Sequence, residues 1–399
     1  MRPQLIERAS ATEERSYYSQ ETHEEFREAG FYRMFVPRRY GGLELELGDF
    51  LRVVMEVAAG DLSSAWGLCL ASAHALHLAT LFGEQAQSEL FGDGDFRCPA
   101  VAAPAGQAIR RGSDWEISGT WGYCSGAPYA THYMGQTFEA PGQPGGPPGQ
   151  MLLFVIPRRQ WSMIEDWGDT LGLRGSGSHS IQVDAALVPG HCVLESQWLV
   201  DTDTTRSPGL ALHGNPLYAG RTLSVFQSEL SGLATGALRG ALEEYESIIR
   251  TRRTQRPPIV ARHLDPDYQR WYGQALAAAA AAETLIAAVA RRWSGYTRAV
   301  ARDGRVFTRE DDLGLNVLAR EALTLVWTSL QEDILRTAGT SATRNGGRIE
   351  RFFRDVAMDW GHTGNVTRDW AWRELARERL GLVEGAALRP DRPHVEARS

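Results

Sequence analysis

Lysine is absent from the 399-residue chain, so all 42 basic side chains are arginine. That excludes a lysine Schiff base and the phosphate-binding lysine of a P-loop. Cysteine is scarce: Cys69, Cys98, Cys124 and Cys192 are scattered, with no Cys-x-x-Cys pair. This fits reduced, buried thiols in a cytoplasmic protein and not a disulfide framework. Excess positive charge is also lacking, since the formal net charge is −7, which argues against nucleic acid as a partner. The N-terminus has no apolar signal core, and no apolar run approaches the roughly 18 residues of a bilayer span. No membrane partner is expected. A Gly-x-Ser-x-Gly elbow is missing, as is a Gly-x-Gly-x-x-Gly fingerprint after a strand, so neither serine hydrolysis nor a resident nicotinamide site is supported.

Hydrophobic residues make up 43% and charged residues 23%, enough apolar material for several regions sharing one core. Residues 1–95 read as an N-terminal helical domain, with a charged amphipathic segment from Glu13 to Ala29 capped by Gly30. From 96 to 200 the texture changes to short alternating runs punctuated by glycine and proline, such as Trp115–Tyr123 and Met151–Ile156. That is the signature of a small all-β unit. Residues 201–385 read as a helical bundle, with helices expected near 218–253, 267–300, 310–338, 348–361 and 366–380. Residues 386–399 are charged and contain proline, and are expected to be a disordered tail.

Several motifs occur in order along this framework. Ala29-Gly-Phe-Tyr-Arg-Met-Phe-Val-Pro precedes Arg38-Arg-Tyr-Gly-Gly, and Asp61-Leu-Ser-Ser-Ala-Trp-Gly is followed by Ala73-His74. Gly119-Thr-Trp-Gly-Tyr-Cys-Ser-Gly126 and Leu171-Gly-Leu-Arg-Gly-Ser-Gly-Ser-His-Ser180 lie in the β region. Arg253-Thr-Gln255 and Arg351–Asn365, with Gly361-His-Thr-Gly364 inside it, lie in the bundle. Together they resemble the acyl-CoA dehydrogenase superfamily over about residues 20–384. The implied fold is α+β: an N-terminal helical domain, a small central β-barrel and a C-terminal helical bundle. Where dehydrogenases often carry a catalytic glutamate before Gly-Thr, this chain has His362. The exchange resembles the flavin-dependent monooxygenases of the same scaffold, as does the Gly-Ser-Gly-Ser form.

The resemblance implies the oxygenase component of a two-component system. Reduced FMN or FAD would come from a separate reductase and react with O2 to give a flavin hydroperoxide. That species would hydroxylate a phenolic or polyketide-like aromatic, or oxidise an amine nitrogen. It implies His362 and His74 as the catalytic pair, because an imidazole near its pKa exchanges protons with substrate. His77, three residues on, competes with His74; His132 and His179 are expected to be structural. The implied flavin contacts are Trp121, Cys124, Ser125, Arg174, Ser176, Ser178, Arg253 and Arg354. Trp121 and Ser125, four apart, would share one face of a continuing strand. Glycines around Ser176 and Ser178 let backbone amides approach a ligand, while arginines suit the flavin phosphate geometrically. Each has a plainer alternative: Trp121 as a buried wall residue, Arg174 as partner to an interior carboxylate, Arg354 as a pin within the bundle. In Arg253-Thr-Gln255 the family's following Phe-Gly is replaced by Arg256-Pro257. The His74/His77 pair lacks a third ligand at motif spacing, so no metal is expected. The family also implies a homodimer or homotetramer. The competing reading is an acyl-CoA dehydrogenase whose base sits earlier in the bundle, at Glu243 or Glu244.

Overall fold

A computed structural model of the protein describes residues 1–92, 94–143, 146–202 and 204–382. The expected disordered tail, 386–399, lies outside the described residues. The N-terminal region contains α1 (Arg2–Arg15), α2 (Gln20–Glu28), α3 (Leu47–Ala58), α4 (Leu62–Ser72), α5 (His74–Leu81) and α6 (Glu84–Phe91). The single amphipathic segment expected over Glu13–Ala29 is two helices. Ser16 adopts a left-handed conformation (φ 69°) that ends α1, and the Ser19 side chain then caps α2 by accepting from the Thr22 N–H. Asp61 caps α4 in the same way, through the Ser64 N–H.

The strands are β1 (Ala100–Val101), β2 (Gln107–Arg111), β3 (Asp114–Trp121), β4 (His132–Phe138), β5 (Met151–Pro157), β6 (Ser162–Ile164), β7 (Ser180–Val188) and β8 (Val193–Glu195). They form two four-stranded sheets, ordered β1-β4-β5-β8 and β2-β3-β7-β6. A bridge between Ala108 and Glu139 and the Trp121 Nε1–H bond to the Gln136 carbonyl (2.8 Å) join the sheets. Among the described residues the strand pairing does not close them into the barrel that was expected.

The C-terminal bundle contains α7 (Pro208–His213), α8 (Leu223–Thr251), α9 (Pro266–Asp303), α10 (Arg309–Ser329), α11 (Arg336–Ala338), α12 (Arg348–Trp360), α13 (Thr363–Val366) and α14 (Arg368–Leu380). One π-helical turn, Leu330–Leu335, joins α10 to α11. The alanine-rich α9 is long and apolar enough to cross a membrane by length and composition, which corrects the reading that no segment qualifies. Its place in the fold is against α8 and α10 of the bundle. Buried side chains from all three regions merge into one core, from Leu5 and Phe50 through Trp121 and Phe154 to Leu238 and Phe352. On α12 the buried positions Ile349, Phe352, Val356 and Asp359 recur at helical spacing and face inward. This helix runs antiparallel to α8: Phe352 meets Gly240 at one end, and beyond the other end Gly364 meets Leu230.

Candidate active site

The site is built where α4, the loop Leu171–His179 and the end of α12 converge. On α4, residues at i, i+3 and i+4 share a face, and here Ser63, Trp66 and Gly67 each touch the loop or the site beyond it. Gly67 is required by close approach, since a Cβ there would lie 2.8 Å from the Ser176 carbonyl oxygen. The Gly175 N–H donates to Ser63 Oγ (3.3 Å), and Ser63 Oγ donates to Asp355 Oδ2 (3.4 Å). Asp355 of α12 also accepts from the Leu173 N–H at 2.6 Å. Burial, with Asp61 nearby, raises the Asp355 carboxyl to a pKa of about 7. Loop and helix are therefore clasped by groups whose separate burial would cost about 1–3 kcal/mol each.

Above this clasp lies a row of hydroxyls. Trp66 Nε1 donates to Ser125 Oγ (3.0 Å), Ser125 Oγ lies 2.8 Å from Ser178 Oγ, and Ser178 Oγ lies 2.6 Å from Ser176 Oγ. All four side chains are buried. The chain reaches Ser125 by a turn: Tyr123 has φ 63° and Gly126 φ 83°. At Gly126 a side chain would also strike the Gly67 carbonyl of α4 at 2.6 Å.

His362 meets the Trp66 ring edge-to-face, with centroids 5.6 Å apart. It caps α13, its Nδ1 accepting from the Gly364 N–H (3.0 Å), so the neutral ring carries its proton on Nε2. The side chain is accessible to solvent, yet the surrounding protein pushes its pKa down to about 4. Arg320 fixes the loop, donating to the Gly364 carbonyl (2.6 Å) and to Thr367 Oγ1 (3.3 Å).

The structure gathers Ser125, Ser176, Ser178 and His362 into one place, and separates the other expected residues from it. Trp121 is 1% exposed, packs on Tyr133 and Phe154, and uses its N–H on the Gln136 carbonyl, so it is a wall residue of the β unit. Cys124 is also interior; its thiol donates to the Trp121 carbonyl (3.1 Å), and burial raises its pKa. The four-residue spacing misled because β3 stops at Trp121 and the chain turns before Ser125. Tyr123 and the half-buried Trp167 supply the accessible aromatic surface instead, edge-to-face at 5.6 Å. His74 is sealed, its Nδ1 2.7 Å from the Cys98 carbonyl, beside His77 and Phe226. His77 is equally buried, stacked on Phe226 at 4.4 Å with neither ring nitrogen hydrogen-bonded.

Arg354 is engaged within the protein, by Glu13 (2.8 Å), Glu350 and the Leu171 carbonyl (3.2 Å), and so ties α12 to α1 and to the loop rather than only within the bundle. Arg174 donates to the Thr170 carbonyl (2.7 Å) and, among the described residues, forms no ion pair, so the interior-carboxylate alternative is not met. Arg253 is exposed beyond the end of α8, bonded to the Ile259 carbonyl. Some 23 residues separate it from Leu230, roughly 30 Å of helix. Glu243 pairs with Arg2, and Glu244 with Arg348 (3.3 Å), at the far end of α12 from His362. His179 takes the Asp166 and Trp167 N–H groups on Nδ1 (3.1 Å each), and His132 stacks on Phe96. Trp66, Ser63 and Asp355 had no assigned role from sequence. The first two lie in Asp61-Leu-Ser-Ser-Ala-Trp-Gly at the helical spacing that could have exposed them.

The family model for the acyl-CoA dehydrogenase N-terminal domain matches residues 1–91, and that for the C-terminal domain matches 229–366. The chain is 30% identical over 361 residues to a pigment production hydroxylase of Rhodococcus sp., covering 89% of this chain and 88% of that protein. It is 26% identical over 376 residues to the flavin-dependent monooxygenase oxygenase subunit HsaA of Rhodococcus jostii, covering 91% and 92%. Among solved structures, XiaF from Streptomyces sp. in complex with FADH2 and glycerol superposes with a TM-score of 0.84 at 21% identity, covering 98% of this chain and 97% of that one. The chain belongs to the acyl-CoA dehydrogenase superfamily, in its branch of flavin-dependent monooxygenase oxygenase components.

Proposed function

We propose that the protein takes reduced FMN or FAD from a separate reductase and, with O2, hydroxylates a phenolic or polyketide-like aromatic. Oxidation of an amine nitrogen is the second reaction open to the same site. The observation that carries the reading is His362: an accessible, neutral imidazole with Nδ1 locked and Nε2–H free, packed on the Trp66 ring whose N–H bonds Ser125. The residues fit a flavin, since a hydroxyl row, a glycine-rich loop and the accessible rings of Tyr123 and Trp167 offer polar and flat apolar contacts together. Bound reduced flavin would supply the activation of O2.

Ser125 and the loop around Ser176 and Ser178 orient the cofactor, and His362 holds a proton at Nε2 facing the reactants. A neutral imidazole with a fixed donor stabilises developing negative charge without adding a positive charge of its own. The buried faces of α4 and α8 would help to exclude water. Arg253, remote from its own site, suits the flavin phosphate of a neighbouring subunit in a dimer or tetramer built through the bundle. Dependence on a reductase suits the cytoplasm. Glu243 and Glu244 are each ion-paired, with Arg2 and Arg348, which disfavours either as the base of the dehydrogenase reading.

The test supplies chemically reduced FMN or FAD and 18O2 with a panel of phenols and amines. Incorporation of one 18O atom into product, only when reduced flavin is present, supports the proposal. Oxidation of an acyl-CoA by tightly held FAD, with no oxygen transfer, overturns it.

A further inference from the structure

A hydroxyl has two lone pairs and one hydrogen, and at Ser125 these have two neighbours inside the protein. An indole N–H can only donate, so Trp66 at 3.0 Å necessarily fills one lone pair of Ser125 Oγ. Ser178 Oγ, at 2.8 Å, is the second neighbour. When the row runs from Ser176 to Ser178 to Ser125, the Ser178 hydroxyl fills the other lone pair. The only hydrogen of Ser125 then has no acceptor within the row and turns outward. The same indole meets His362 edge-on at 5.6 Å, and its ring is 2% exposed. Trp66 thus touches both polar groups of the site, one through its N–H and one through its ring.

We infer that Trp66 is a positioning residue that sets the direction of the Ser125 hydrogen and the plane of the His362 ring as one rigid unit. Ser125 and His362 are 237 positions apart in sequence and on different domains. Without a common support their relative placement would depend on the packing of two separate loops. An indole clamped in α4, the helix that also carries Ser63 of the loop clasp, removes that freedom. The inference rests on the proposed monooxygenase reading for its consequence, though not for its geometry.

The experiment compares Trp66→Phe, Ser125→Ala and the double variant on two readouts. The first is hydrogen exchange of the Trp66 indole N–H in the cofactor-free protein with selectively labelled tryptophan. Ser125→Ala should speed it about tenfold or more, the effect of losing one buried hydrogen bond. The second is coupling, meaning product formed per reduced flavin oxidised. Each single variant should lose about tenfold, and the double variant should lose no more than either single. Unchanged indole exchange in Ser125→Ala overturns the inference. So do losses that multiply in the double variant, or full coupling in Trp66→Phe. If the wild-type protein transfers no oxygen at all, the functional reading fails, and the exchange measurement still decides the role of Trp66.

Discussion

His74 and His362 share a residue type and a pKa that the surrounding protein pushes down to about 4, yet the structure gives them opposite chemistry. His74 sits inside, bonded to the Cys98 carbonyl and walled by His77 and Phe226. His362 caps a four-residue helix and is exposed to solvent, with one nitrogen locked and the other presented. A depressed pKa therefore says only that the ring stays neutral. Access and the free nitrogen decide whether it can act on a ligand.

The largest expected effect follows from that contrast. His362→Ala should lower turnover by about 10²–10⁴-fold, the range for a lost proton-handling or charge-stabilising donor, with little loss of stability. His74→Ala should do the reverse. Deleting a buried, hydrogen-bonded ring is expected to cost roughly 2–4 kcal/mol in urea denaturation, with turnover per folded molecule falling far less. Equal activity losses in the two variants would erase the distinction between accessible and sealed histidine.

Gly67→Ala sharpens the same contrast from the helix that carries both Trp66 and the loop clasp. A methyl group 2.8 Å from the Ser176 carbonyl must displace the loop, costing about 1–3 kcal/mol and weakening affinity for reduced flavin. Unchanged flavin affinity in a destabilised variant would show that the loop does not set the binding surface.

The smallest effects concern pH. His362, held below its ordinary value, contributes stability that is present above about pH 6.5 and is lost as pH falls through about 4. Asp355, raised to about 7, works the other way: its contribution is complete below about pH 4 and is lost as pH rises through 7. Asp355→Asn should therefore flatten the decline of stability between pH 4 and 7 while keeping the Leu173 N–H bonded. An unaltered slope in denaturant titrations would show that Asp355 is ionised in the folded protein across that range.

Much of the fold was legible because helices announce themselves by spacing. The helix expected over 348–361 is Arg348–Trp360, and that over 267–300 is Pro266–Asp303. Local rules failed where one residue changed the chain's direction. Ser16 in the left-handed region divides the first long helical segment, and Tyr123 with Gly126 turns the chain so that Trp121 and Ser125 part company. Family motifs pointed to His362 and the serines, which the structure brings near one another around Trp66. The clasp from Ser63 to Asp355 spans 292 positions and the Trp66–Ser125 bond spans 59. No periodicity records such pairs, since they exist only once α4, the loop and α12 have packed.

The most direct test is anaerobically reduced flavin, mixed rapidly with oxygenated buffer in the presence of the wild-type, His362→Ala or His74→Ala protein, and followed by absorbance. The account requires a protein-dependent delay in flavin reoxidation that His362→Ala shortens sharply and His74→Ala, once folded, largely keeps. Reoxidation as fast with wild-type protein as in buffer alone would contradict it.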